Sequence, residues 1–403
     1  MGEEKKIKLL MMADFISPTG FGNVAMSLAK FLNKTERYDI SVLAINYNGF
    51  PNELQSSYKI YPAKSGPSGD PYGFDVTKKI VAEVEPDLIW ILNDIWIITQ
   101  YLDRIRDLFD DQAPDFKKPK ISIYFPVDAE DHNLGWYTNL DMVDSVNVYT
   151  EFGKAVVNKV VPDLDVNIMK HGVDASMFYK IAGTQAEIKG RLYPQIEEML
   201  NSFVVLNANR NQSRKKLDVT MSGFALFAED KPSNVKLYMH CGIEDSAINV
   251  IAMAERLHIE KRLIVTDKNA KGAMKVPTHI LNLIYNSTDV GVNTAVGEGW
   301  SLTNMEHAIT GAPQLVADHS ALHELYEDCG LLIPAKIPYV LDKSMTTGYL
   351  CLAEDVASAL QRVYENKDLY NELSFKAYKK FTSKEYSWEF IANVWDEEFK
   401  RIL

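Results

Sequence analysis

The stretch that most constrains this chain is residues 288–313, TDVGVNTAVGEGWSLTNMEHAITGAP. The apolar run from Val290 to Val296, broken by Gly291 and Asn293, reads as a buried strand ending in the turn Gly297-Glu298-Gly299. Ser301 or Thr303 can cap the helix that follows. Leu302, Met305, Glu306 and Ile309 recur at helical spacing, and Gly311-Ala312-Pro313 stops the helix. A strand, a glycine turn and a helix start suit a phosphate, because first-turn amides have no intrahelical acceptor and the dipole favours an anion there. Two carboxylates bracket the turn, Glu298 on it and Glu306 inside the helix, with seven residues between them.

The rest of the chain alternates strand and helix patterns. Strands are expected at 6–14, 39–47, 87–92, 120–125, 142–149 and 166–171, then at 202–207, 236–240 and 262–265, with helices between them. Such alternation implies parallel βαβ units and doubly wound sheets, whose ligands sit beyond the carboxyl ends of the strands. Gly20 and Gly22 in SPTGFGNVAM, Asn93, Asp94 and Asp128 fall at such ends. A concentrated basic patch, Arg210, Arg214, Lys215 and Lys216, follows the strand at 202–207. Residues 336–350 read as an irregular insertion, and Trp388, Ile391, Trp395 and Phe399 mark a final amphipathic helix.

Length and charge narrow the function. The 403 residues suffice for two domains, and 46% apolar with 24% charged residues fits a globular protein. Forty-three Lys and Arg against 55 Asp and Glu give a net charge of −12, which disfavours nucleic acid as a partner. Cys241, Cys329 and Cys351 have no metal-ligand spacing and suggest a reducing, cytoplasmic compartment. Ile7–Met12 is too short to span a membrane, and the Met1-Gly2 start carries Lys6 where a myristoylation signal wants Ser or Thr.

Glu298 and Glu306 in this E-x7-E spacing resemble the donor-site signature of the retaining glycosyltransferases of group 1 (family 4, GT-B fold). Three other stretches carry the same resemblance: the glycine loop at Gly20 and Gly22, the turn His171-Gly172-Val173-Asp174 with Phe178, and Ala317 to Glu324 with Gly330 to Ile333. The resemblance implies two facing Rossmann-like domains with a cleft between them. The first would span 1–180 and take back 386–403 as a returning helix; the second, 195–385, would bind the nucleotide-sugar donor. It further implies that Glu298 orients the sugar, that Glu306 binds ribose, and that Gly299, Ser301, Leu302 and Thr303 lie near the diphosphate. In the family an Arg and a Lys about six residues later neutralise that diphosphate. Arg210 and Lys216 match this spacing, with Lys215 as the second choice, although Asn209 stands where the family has Gly.

For the residue at the anomeric carbon Asp128 is the first candidate and His132 the second. The implied activity is transfer of a hexose from a UDP- or GDP-type donor to an acceptor that the sequence leaves open, as it does the oligomeric state. No cofactor and no metal is expected, since Asp163-Leu164-Asp165 reads as a surface turn despite its D-x-D form. The alternatives are another GT-B enzyme such as a sugar-nucleotide epimerase, a noncatalytic sugar-nucleotide-binding subunit, and a transferase acting on modified DNA.

Overall fold

The computed structural model describes residues 5–17, 19–111, 117–194, 196–272 and 274–403. The Met1-Gly2 start and residue 195, where the second domain is expected to begin, lie outside them. The chain divides into two compact units. Unit 1 comprises residues 1–127, 132–172 and 388–403; unit 2 comprises residues 128–131 and 173–387.

Unit 1 holds seven strands: β1 (Ile7–Asp14), β2 (Tyr38–Ile45), β3 (Lys59–Pro62), β4 (Leu88–Leu92), β5 (Lys120–Tyr124), β6 (Ser145–Val148) and β7 (Asn167–Ile168). They form one parallel sheet in the order β3-β2-β1-β4-β5-β6-β7. Leu88, Ile89, Trp90, Ile91 and Leu92 are all buried, as a strand covered by helices on both faces requires. The chain order reverses between β1 and β4, so the loops after these two strands diverge and leave a crevice at their carboxyl ends. β3 escapes sequence reading because it is an edge strand of four residues ending in a proline.

Unit 2 repeats the design with β8 (Phe203–Asn207), β9 (Val235–Met239), β10 (Leu263–Val265), β11 (Val290–Asn293), β12 (Gln314–Ala317) and β13 (Leu331–Ile333). The parallel order is β10-β9-β8-β11-β12-β13, with the reversal between β8 and β11. The stretch read as an irregular insertion is instead an antiparallel hairpin of β14 (Ala335–Val340) and β15 (Thr347–Cys351). Its alternation is masked because a two-stranded ribbon buries little: β14 is mostly exposed and carries Pro338.

The helix Trp388–Ile402 belongs to unit 1. Trp395 meets Trp90 edge-on at 5.7 Å and Tyr124 at 4.9 Å, and Phe399 lies against Tyr38 at 6.1 Å. Asp396, buried on the same face, accepts from Tyr38 Oη at 2.7 Å and pairs with Arg37 and Lys400, which compensates its charge. Trp395→Ala should therefore cost unit 1 about 3–5 kcal/mol by leaving a cavity against Trp90 and Tyr124. Thermal unfolding followed by near-UV ellipticity checks this. A melt identical to that of the native chain would mean that the helix does not support the sheet.

Candidate active site

The switch point of unit 2 brings two loops together. The loop after β8 delivers Arg210, Arg214, Lys215 and Lys216, and the loop after β11 delivers Gly297, Glu298 and Gly299. Glu298 is only 3% exposed. Its Oε1 accepts from Lys215 Nζ and from Asn293 Nδ2 at 3.2 Å, and its Oε2 from Arg214 Nη1 at 3.2 Å. Burial works to raise its pKa, but Lys215 and Arg214 outweigh that and hold the carboxyl at about 2. Lys215 is pushed down to about 8 by burial, with Arg214 adding to the shift and Glu298 opposing it. At neutral pH the pair is charged on both sides.

Asp128 joins this cluster. Its Oδ2 lies 3.6 Å from Arg214 Nε, and a Cβ on Gly297 would fall 1.9 Å from its carbonyl oxygen. Only glycine admits that approach. Sequence order puts Asp128 after a first-domain strand, yet residues 128–131 pack within unit 2, whereas His132 belongs to unit 1. His132 is buried with Nδ1 at 2.7 Å from Tyr137 Oη.

Lys215, not Lys216, reaches Glu298. Lys216 takes a left-handed conformation (φ 49°) as it starts the helix Leu217–Ala228, and its Nζ rests 3.9 Å above the Tyr339 ring. That turn of the backbone separates two neighbouring lysines that spacing alone cannot tell apart. Arg210 is exposed and pairs with Asp245 through Nε at 2.6 Å and Nη2 at 3.4 Å.

Glu306 lies on the seven-residue helix Leu302–Ala308. Tyr285 Oη donates to its Oε2 at 2.9 Å. Burial raises its pKa to about 7, with the Tyr285 bond opposing. Ser301 starts this helix without capping it. Its φ of 87° turns the hydroxyl away from the helix amides, and it donates instead to Asn304 Oδ1 at 2.7 Å. Leu302 and Thr303 occupy the first turn, and Gly299 is buried.

In unit 1, Gly20 is exposed at the start of the helix Gly20–Asn33 and Gly22 is buried, its amide donating to Thr19 Oγ1 at 3.0 Å. Thr19 also donates to Asp14 Oδ2 at 2.9 Å, so the cap is tied to the end of β1. Sequence reading passes over three members of these sites. Asn293 shows in the sequence only as a break in the apolar run, Ser320 (whose Oγ accepts from the Glu298 amide at 3.0 Å) only as part of the stretch Ala317 to Glu324, and Asp245 reaches Arg210 across 35 positions. Asp163 and Asp165 are exposed beyond the helix Glu151–Val160. Among the described residues no group of three or more His, Cys, Asp or Glu is arranged to hold a metal, and no helix is long and apolar enough to cross a membrane.

No family model and no curated protein matches the sequence. Solved structures do match in shape. Alr3699/HepE of Anabaena, in complex with UDP-glucose, aligns over 98% of this chain and 100% of its own with TM-score 0.70 and 14% identity. Sucrose-phosphate synthase of Thermosynechococcus elongatus aligns over 99% of each chain with TM-score 0.73 and 14% identity. A glycosyltransferase of Rickettsia africae aligns over 99% of each with TM-score 0.72 and 12% identity. With two parallel, doubly wound Rossmann-like units and these neighbours, the chain has the GT-B fold.

Proposed function

We propose that this chain is a retaining glycosyltransferase moving a hexose from a nucleotide-diphosphate sugar to an acceptor hydroxyl. The observation that carries the reading is one strand–turn–helix that places two carboxylates, with different partners, at the switch point of unit 2. Glu298 is ionised between Lys215 and Arg214, whereas burial raises Glu306 to about 7 against the opposing bond from Tyr285. The UDP-glucose held by the similar HepE structure supports a nucleotide sugar as the donor. The three cysteines are free and buried, which supports a cytoplasmic setting.

The donor's ribose would meet Glu306, its sugar hydroxyls Glu298, and its diphosphate Arg210, Lys215 and the first-turn amides of Leu302 and Thr303. In unit 1, Gly20 and Gly22 are the residues proposed for donor binding. In transfer, the bond from the anomeric carbon to the diphosphate oxygen breaks and its electron pair leaves with the phosphate. Fixed positive charge stabilises that departure. The acceptor oxygen then bonds to the anomeric carbon and releases its proton, for which Asp128 is the nearby base. Arg210 is the more exposed partner of its pair with Asp245, so its guanidinium is the one placed to turn toward a diphosphate. With these cations available, the reaction is expected to need no divalent metal.

Thermal shift against a panel of UDP- and GDP-sugars tests the donor, since a bound ligand stabilises by mass action. Proton NMR of the product then tests retention, and rates should stay within about twofold in excess EDTA. No shift with any donor would remove the function; an inverted product would remove retention; loss restored by Mg²⁺ would remove metal independence.

Lys215→Ala should lower kcat/KM by about two orders of magnitude or more, as removal of a fixed transition-state charge does. Lys216→Ala should lower it less than about tenfold, because its cation rests on Tyr339. The reverse ranking would restore Lys216 to the diphosphate.

The protonation of Glu306 has a sign. Its folded value of about 7 exceeds the ordinary 4.5, so between these pH values the folded chain holds a proton that the unfolded chain has lost. The Glu306 contribution to stability therefore falls as pH rises from about 4.5 to about 7 and levels above that. Glu306→Gln removes this dependence. The Tm of the variant relative to the native chain should rise across that window, and a constant difference would place the Glu306 carboxyl in an ordinary environment.

A further inference from the structure

The β14–β15 hairpin stands outside both parallel sheets. Four contacts nonetheless tie it to the Glu298 cluster. Glu130 and Thr347 exchange both backbone bonds, at 2.8 and 3.0 Å, so the loop that carries Asp128 is paired to β15. Tyr349 N donates to Val296 O at 2.9 Å, and Val296 N donates to Arg214 O at 2.9 Å. The hairpin, the Glu298 turn and the basic loop thus share one run of backbone bonds. The Tyr349 ring packs edge-on against His319 at 4.7 Å, next to Ser320, whose Oγ accepts from the Glu298 amide. The Tyr339 ring holds the ammonium of Lys216.

Gly348 sits where β15 crosses the turn. A Cβ there would lie 2.2 Å from Val296 O and 3.0 Å from its carbonyl carbon, both rigid backbone. The close approach is therefore built into the sequence. A hairpin needed only to cover a surface would not require it.

We propose that the β14–β15 hairpin is a positioning element of the transfer site, with Gly348 and Tyr349 as the residues through which it sets the Asp128–Arg214–Glu298 geometry. The proposal rests on the glycosyltransferase reading above. Its effect falls more on the transfer step than on nucleotide binding, because the ribose-side carboxylate Glu306 is held by Tyr285 and the diphosphate-side Arg210 by Asp245.

The test compares the full-length chain with Gly348→Ala, Tyr349→Ala and Tyr349→Phe. Gly348→Ala and Tyr349→Ala should each lower kcat for donor turnover by about tenfold or more, with Kd for bare UDP or GDP changed less than about twofold. Tyr349→Phe keeps the ring on His319 and should restore kcat. Unchanged kcat in both alanine variants would overturn the proposal. So would a parallel fall in kcat, nucleotide affinity and Tm, which a purely structural hairpin would give. Should the native chain turn over no sugar nucleotide, the function fails but the positioning claim is still decided by hydrogen exchange. Faster exchange of residues 128–131 in Gly348→Ala supports it, and unchanged exchange overturns it.

Discussion

A buried carboxylate with two cations is the interaction on which the second unit's site depends. Glu298 is almost wholly removed from water, and an isolated ion there would cost several kcal/mol. Lys215 and Arg214 offset that cost only because the switch point between β8 and β11 brings their loops side by side. The rest of the arrangement follows from keeping this group fixed. Asn293 and Ser320 bond its side chain and amide, and Gly297 lets the Asp128 carbonyl approach the same turn. Removing either cation would leave a buried charge short of a partner, which is worse than never having had the pair.

The second carboxylate shows what the same local sequence does without cations. Glu306 is eight positions further along and partly buried as well, but its bonded neighbour is a neutral phenol. Burial then dominates, and its pKa moves toward neutrality while that of Glu298 moves to the acid side. Two groups of one chemical type, held apart in protonation by their surroundings, can take different work in one site.

Much of this was legible in the sequence. The alternation of buried strands and amphipathic helices gives both sheets, because a strand covered on both faces reads as a continuous apolar run. The E-x7-E spacing puts the two carboxylates on one strand–turn–helix. What was not legible depends on backbone direction or on distant partners. The left-handed turn at Lys216 decides which lysine meets Glu298, and no spacing rule records a φ angle. The pairing of Glu130 with Thr347 moves Asp128 into the second unit across more than two hundred positions. The hairpin hid for a third reason: β14 is mostly exposed, so no buried face imposes an alternating pattern on it.

The basic patch looks different once each charge is placed. In sequence it is four cations in seven residues, a candidate for any polyanion. In the fold each has a partner: Arg210 has Asp245, Arg214 has Glu298 and Asp128, Lys215 has Glu298, and Lys216 has the Tyr339 ring. An arriving anion must therefore exchange partners, and the exchanges differ in difficulty. The Arg210–Asp245 pair, with its arginine side chain half exposed, opens more readily than a buried one. The buried Lys215–Glu298 pair opens only if the ligand itself repays Glu298, for instance with sugar hydroxyls donated to the freed carboxylate. A bare phosphate offers no such repayment, whereas a phosphate that brings a sugar does. Selectivity for a sugar-linked diphosphate over a plain polyanion can thus arise from charge pairing within the site, before any contact with the nucleotide base is made.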